Sequence, residues 1–331
     1  GMGVVFRARH LPSGEEAALK TVRLANPVLL SSIRREIQRL RRLSHPGVVR
    51  IRDDGVHHSL PWYTMDLFDC ATWEQVTEQR NTPSVVPPQS RSSSQLDETG
   101  VMDTELGSSD PSDPSQATIT VADYRRPLDP HELPEVLGHT RRLCETLSYI
   151  HGEGVIHRDL KPANVFLPGV DRTVLVDFGL VIAYSGPDGR EVMQVAPSLA
   201  GTVAYMAPEQ LTGELVDARA DIFALGCMLY ETLTGRIPFP ISFRERLQLA
   251  AHPLVPPSRF VPWLPPLLDD LLAKLLTPDR RERLGHAADV AELLTASQLV
   301  NLPPLDPATH KPRDYLYRAS FAGRDELLDE L

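Results

Sequence analysis

The run His157-Arg158-Asp159-Leu160-Lys161-Pro162-Ala163-Asn164 places a carboxylate, two cations, an imidazole and an amide within eight residues. Thirteen residues beyond Asn164 comes Asp177-Phe178-Gly179, directly after the strand-like Thr173-Val174-Leu175-Val176. A carboxylate at the end of a buried strand suits a magnesium ion, which takes hard oxygen ligands. Asn164 and Asp177 together could clamp cations that bridge phosphates. Three more pieces lie near the start of the chain: Lys20 in Ala17-Ala18-Leu19-Lys20, Glu36 in Arg35-Glu36-Ile37, and the glycines of Gly1-Met2-Gly3-Val4-Val5. Phosphoryl transfer needs little covalent help from a protein. It needs nucleotide, metal and acceptor hydroxyl held in line while the developing charge is stabilised. These five separated pieces could supply that. Taken alone each is weak, since Lys20 could be an exposed strand lysine and Asp-Phe-Gly is a short match.

The elements that must position these groups read as two lobes. Residues 4–9 and 16–22 alternate like strands around the turn Pro12-Ser13-Gly14, which predicts a hairpin. From Val28 to Leu43 the apolar residues Leu29, Leu30, Ile33, Ile37, Leu40 and Leu43 recur at three- and four-residue steps, the period of an amphipathic helix, which His45-Pro46-Gly47 stops. Apolar runs at 48–51 and 61–67 predict two more strands and complete a small sheet with one helix. Residues from about 80 to 126 are rich in Ser, Pro, Thr and Asp without apolar periodicity, which reads as a disordered insertion. Helical patterns follow near 130–151, 218–234, 242–250, 266–276 and 286–297, with a loop-rich stretch up to about 209. Pro303, Pro304, Pro307 and Pro312 mark a linker from 298, and 321–331 could begin another helix. No internal repeat is visible. The expectation is an α+β, bilobal molecule with a small β-rich first lobe (1–67) and a larger, mainly helical second lobe (68–297).

Bulk properties exclude several classes. A chain of 331 residues with 42% hydrophobic content can bury a large core. Its three cysteines, Cys70, Cys144 and Cys227, are far apart without a Cys-x-x-Cys spacing, so neither a zinc site nor a disulfide framework is expected. That usage fits a reducing, cytoplasmic setting. No apolar run approaches the roughly 18–20 residues of a membrane helix, and no signal-peptide pattern is present. A net charge of −10 argues against bulk affinity for nucleic acid. Arg34, Arg35, Arg39, Arg41 and Arg42 crowd one helical stretch, which reads as a solvated face.

From residue 1 to about 297 the chain resembles the Hanks-type, eukaryotic-like serine/threonine protein kinases of bacteria. The run from His157 to Asn164 matches that family's catalytic loop at each defining position. The resemblance implies that Asp159 accepts the proton of the substrate hydroxyl, Lys161 steadies the γ-phosphate, Asn164 and Asp177 bind magnesium, and His157 is structural. Lys161 also favours serine/threonine over tyrosine acceptors. Lys20 would contact the α- and β-phosphates and pair with Glu36. Leu40, Ile51, Phe178 and His157 would form a stacked spine anchored by Asp221, a reading that agrees with ordinary core. Gly1 and Gly3 look like the tail of the family's glycine-rich loop, with Val5 covering adenine; the loop's first two glycines and first strand are absent, as in a chain truncated at its N-terminus. Ala18 and Phe166 would sandwich the ring, Met65 resembles the gatekeeper, and Asp66 to Phe68 the hinge whose backbone bonds adenine; a plain buried strand is the alternative there. Ala207-Pro208-Glu209 would close the activation segment, with Arg283 pairing with Glu209. In that segment Thr202 would bond Asp159 and Lys161. Ser198, with Thr202 and Ser185 behind it, is the candidate phosphate acceptor, whose phosphate Arg158 would bind; a solvated loop serine without a role is the alternative.

The cofactors so implied are ATP with Mg2+, or Mn2+ in its place; the partners are proteins bearing Ser or Thr acceptors. Ser92, Ser93, Ser94, Ser108, Ser109 and Ser112 of the insertion read either as autophosphorylation sites or as a passive linker. The stretch Tyr315 to Glu326 resembles the lead-in to an ATPase domain, with a frayed tail as the alternative. Two rival functions stay open: a catalytically silent ATP-binding scaffold, and a small-molecule phosphotransferase of related fold. The latter should lack Lys161 in this context and the Ala-Pro-Glu segment.

Overall fold

A computed structural model describes residues 3–22, 27–80, 126–178, 203–212, 214, 216–240 and 252–299. The expected insertion at 81–125, the helix at 242–250 and the tail from 300 onward lie outside the described residues. The first lobe is an antiparallel sheet of β1 (Val4–Arg9), β2 (Glu16–Thr21), β3 (Ile51–His57) and β4 (Leu60–Met65) in the order β1-β2-β4-β3, with α1 (Pro27–Leu40) against one face. The alternation of β4 is regular: Pro61, Tyr63 and Met65 are buried, and Leu60, Trp62 and Thr64 are partly exposed. Its register sets Tyr63 opposite Lys20 and Met65 opposite Ala18. One face of the sheet therefore carries Ala18, Lys20, Tyr63 and Met65 together, because side chains directly opposite in neighbouring strands share a face. Toward that face α1 turns Ile33, Glu36, Ile37 and Leu40, all buried and spaced by three or four residues.

One strand differs from its expectation. The apolar run at 48–51 is not a sheet strand; Val48 bridges to Leu175, Val49 N–H donates to the Leu175 carbonyl at 3.0 Å, and Leu175 N–H to the Gly47 carbonyl at 2.8 Å. The strand begins at Ile51 and runs through the polar Arg52-Asp53-Asp54. The reason is topological. Residues 47–49 spend their backbone bonds on the second lobe, while β3 is an edge strand whose side chains are largely solvated, so apolar content does not mark it. Gly47 allows this docking, since a Cβ there would collide with the Thr146 side chain.

The second lobe comprises α2 (Trp73–Gln79), α3 (Leu133–Gly152), the hairpin β5 (Val165–Gly169) and β6 (Arg172–Leu175), the short α4 (Pro208–Thr212), α5 (Arg219–Thr234), α6 (Pro266–Leu275) and α7 (Ala287–Ala296). Helix α5 is buried on all sides from Ala220 to Thr234, as expected for a helix apolar all round. It ends at Gly235, whose φ of 69° suits a residue without Cβ. One apolar cluster runs from Ala18 and Ile37 through Val48 and Leu175 to Phe223 and Leu272, so both lobes share a continuous core.

Candidate active site between the lobes

Asp221, fully buried near the start of α5, organises the loop at 157–164. Its Oδ2 accepts from His157 N–H at 2.8 Å and lies 2.8 Å from His151 Nε2, and its Oδ1 accepts from Arg158 N–H at 2.8 Å. Burial opposes the charge of Asp221, but the His151 hydrogen bond and the neighbouring imidazoles outweigh it and hold the carboxyl below the ordinary range. Arg158 sits at φ 68°, a strained setting for a non-glycine residue. It persists because both its peptide groups are held: N–H by Asp221, and carbonyl by Gln210 Nε2 at 2.8 Å.

His157 accepts at Nδ1 from Asp159 N–H (3.3 Å), so its Nε2 donates to the Val176 carbonyl (2.9 Å). Its ring also meets Phe178 edge-on, with centroids 4.9 Å apart. Both ring nitrogens are committed, which makes His157 structural. The carboxylate of Asp159 is different. Oδ2 receives Lys161 Nζ at 2.8 Å and Asn164 Nδ2 at 3.4 Å, whereas Oδ1 is buried and has no hydrogen-bond partner among the described residues. A buried carboxylate oxygen is costly to leave without a donor, so Oδ1 is free among the described residues to accept from an incoming hydroxyl or from the activation segment.

Asn164 donates to the Asp159 carbonyl at 2.8 Å, and its own carbonyl accepts from Val176 N–H at 3.0 Å. That bond sets Asn164 beside Asp177, which adopts φ 61° at the end of the segment leaving β6. Among the described residues no three His, Cys, Asp or Glu side chains are clustered to hold a metal. The amide of Asn164 and the carboxylate of Asp177 are hard oxygen donors, suited to a cation that completes its shell with phosphate and water.

Lys20 joins the lobes. Its ammonium donates to Glu36 Oε1 and Oε2 at 2.8 and 3.0 Å and, across the cleft, to Asp177 Oδ1 at 2.6 Å. Burial works against the charge on Lys20, yet the two carboxylates outweigh it and raise its pKa. Asp177 is lowered by Lys20 in spite of burial. For Glu36 burial outweighs Lys20 and pushes the pKa up, although Lys20 donates to both oxygens and Tyr63 to one, a geometry that favours the charged pair.

The residues expected around adenine fall on two walls. Val5 pairs with Lys20 and Ala18 with Met65 on the sheet side, and Gly3 lies over Lys20, where a Cβ would sit 3.1 Å from its Cε. Phe166 lies on β5 and contacts Phe68 with ring centroids 5.4 Å apart. The connection 66–72 follows β5 through Leu167 N–H donating to the Ala71 carbonyl at 3.0 Å. Asp66 turns its carboxylate onto Arg52 Nε at 2.8 Å. Arg52 lies at a register shift of β3, a bulge that aims it at this connection. Gly1, Gly179, Ser185, Ser198 and Thr202 lie outside the described residues. At the far end of the segment, Glu209 and Arg283 form a buried bidentate pair at 2.7 and 3.1 Å, as the resemblance implied.

Sequence reasoning missed Tyr63, Gln210 and Arg52. Tyr63 alone left a trace, a hydroxyl on the buried parity of β4.

The protein kinase domain family matches residues 122–299. Serine/threonine-protein kinase PknB of Mycobacterium leprae is 30% identical over 301 residues, covering 88% of this chain and 40% of the relative. PknB of Mycolicibacterium smegmatis is 29% identical over 343 residues, covering 95% and 47%. The chain thus spans less than half the length of these relatives. The crystal structure of the PknI kinase domain of Mycobacterium tuberculosis superposes with a TM-score of 0.57 at 25% identity, covering 89% of this chain and 91% of that one. With the family matched over more than half of its length, on a site whose groups converge as described, the chain belongs to the protein kinase domain family.

Proposed function

We propose that this domain transfers the γ-phosphate of ATP to serine and threonine hydroxyls of proteins. The observation that carries the reading is Asp159: a carboxylate with one oxygen held by Lys161 and the other buried with no donor among the described residues, near Asn164 and Asp177. The acceptor hydroxyl would donate to Asp159 Oδ1. As the acceptor oxygen bonds to the γ-phosphorus, its proton passes to Asp159, the β,γ-bridging P–O bond breaks, and ADP leaves. Lys161 sits where an ammonium can follow the charge on the transferred group, and Lys20, held by Glu36, reaches toward the other phosphates. Asn164 and Asp177 would hold Mg2+ or Mn2+, which when bound neutralises charge developing across the phosphates. Val5, Ala18, Met65 and Phe166 would enclose adenine, with the 66–68 backbone as its hydrogen-bonding edge. Thr202 would order Asp159 and Lys161, and residues 1–297 would make up the catalytic unit. Autophosphorylation, signalling through protein substrates and a cytoplasmic location belong to the same reading; among the described residues no helix is long and apolar enough to cross a membrane.

The test is transfer from labelled ATP with Mg2+ to a generic protein, by the wild type and Asp159→Asn. Loss of the base should lower kcat by roughly 10²–10⁴ with little change in KM for ATP. Unchanged turnover in Asp159→Asn would sink the assignment. ATP binding without any phosphoserine or phosphothreonine would favour a silent scaffold.

A further inference from the structure

We propose that Tyr63 is a positioning residue for phosphoryl transfer, its hydroxyl being a second tether that keeps Glu36, and with it α1, in place while Lys20 turns to the nucleotide. The inference rests on the reading above that the Lys20–Glu36 pair serves the phosphates.

Tyr63 is fully buried in β4, directly opposite Lys20 in the sheet register. Its hydroxyl donates to Glu36 Oε1 at 2.9 Å, the same oxygen that receives Lys20 at 2.8 Å, and the Lys20 ammonium lies 5.9 Å from the Tyr63 ring centroid. An ammonium has three protons. Lys20 spends hydrogen bonds on Glu36 Oε1, Glu36 Oε2 and Asp177 Oδ1, so nothing is left over for a phosphate. Contact with a nucleotide must weaken one of these three bonds, and wherever it is one of the two to Glu36 that carboxylate loses a donor. Glu36 has almost no solvent to fall back on, being 2% exposed. The phenol supplies the missing donor. It carries no charge for phosphate to attract, it stands on the central strand of the sheet, and burial beside Glu36 pushes its pKa up, so it stays a donor. Helix α1 is thereby fastened to β4 by a bond that the reaction does not compete for.

If the tether sets the fraction of molecules with Glu36 in place, apparent ATP affinity scales with that fraction, while saturating ATP restores it. Tyr63→Phe removes only the hydroxyl and keeps the ring in its packing. The expected result is a KM for ATP raised roughly tenfold, the order of one hydrogen bond to a charged group, with kcat at saturating ATP within about twofold. A non-hydrolysable ATP analogue, titrated by calorimetry, should weaken in parallel. In a Glu36→Gln background the same substitution should add little. An unchanged KM, an equal KM effect without Glu36, or a Tyr63→Phe chain that cannot fold would each overturn the proposal, the last because a positioning role leaves the folded state intact. The Asp159→Asn chain measured alongside separates the two failures. If Asp159→Asn is inactive and Tyr63→Phe behaves as wild type, the tether is wrong and the reaction stands. If Asp159→Asn turns over normally, the assignment of the base is wrong, and if the wild type transfers no phosphate, the reaction is wrong; in both cases the analogue titration still reads the tether.

Discussion

Asp221 makes no contact with a reacting atom in the proposed chemistry, yet the catalytic loop hangs from it. Two backbone N–H groups and one imidazole converge on its carboxylate, which is their acceptor in the loop's hydrogen-bond network. Its folded pKa is depressed below the ordinary 3.8, so its contribution to stability is complete above that value and is lost as pH falls through the lower folded value. Asp221→Asn should therefore be less stable than the wild type at pH 7 by about 1.5–3 kcal/mol, the worth of hydrogen bonds to a charged group. Denaturant melts of both proteins should converge as pH falls below the ordinary carboxylate range and through the depressed folded pKa of Asp221. A gap independent of pH would show that charge is not what Asp221 contributes. The sequence marked Asp221 only through resemblance, since one Asp in an apolar helix has no local signature of its three partners.

At the scale of elements, α4 and the loop entering α7 are joined by Glu209 and Arg283. Arg283 also donates to the carbonyls of Thr277, Pro278 and Arg219, which ties α5 into the same knot. Removing one member of a buried pair leaves the other charge unpaired, at a cost of roughly 3–5 kcal/mol; replacing both with apolar groups costs far less. Arg283→Met should accordingly lower the urea midpoint more than Glu209→Leu with Arg283→Met together. Additive losses would mean that the pair acts as two independent residues. The amphipathic period made α1 legible in the sequence, and His45-Pro46-Gly47 placed its end within a few residues. Strand β3 escaped because its identity comes from pairing along one edge with β4 and not from its own side chains.

Across the whole molecule, the expected insertion leaves the second lobe and returns at one place. Arg126 Nε donates to the Arg80 carbonyl at 3.3 Å, and Glu132 lies 3.3 Å from Arg80 and 3.1 Å from Arg126. With the ends already together, replacing residues 81–125 by a few Gly and Ser should leave kcat unchanged and stabilise the domain by at most about 2 kcal/mol, as each halving of a flexible loop recovers about 0.6 kcal/mol. A lower Tm in the shortened chain would show that the insertion packs on the domain. The sequence by itself determined which chemistry to propose, because the run 157–164, Asp177 and the period of α1 are local patterns whose residue types already limit what they can do. It also determined the division into a β-rich and a helical lobe, since periods of two and 3.6 are written along the chain. Only the tertiary structure decided that Lys20 is shared by Glu36 and Asp177, that Val48 and Val49 join the lobes, and that Tyr63 and Asp221 hold the site from behind. Those partners lie up to 157 positions apart in the chain, as Lys20 and Asp177 do, and their meeting depends on strand register and lobe packing, which no local pattern specifies.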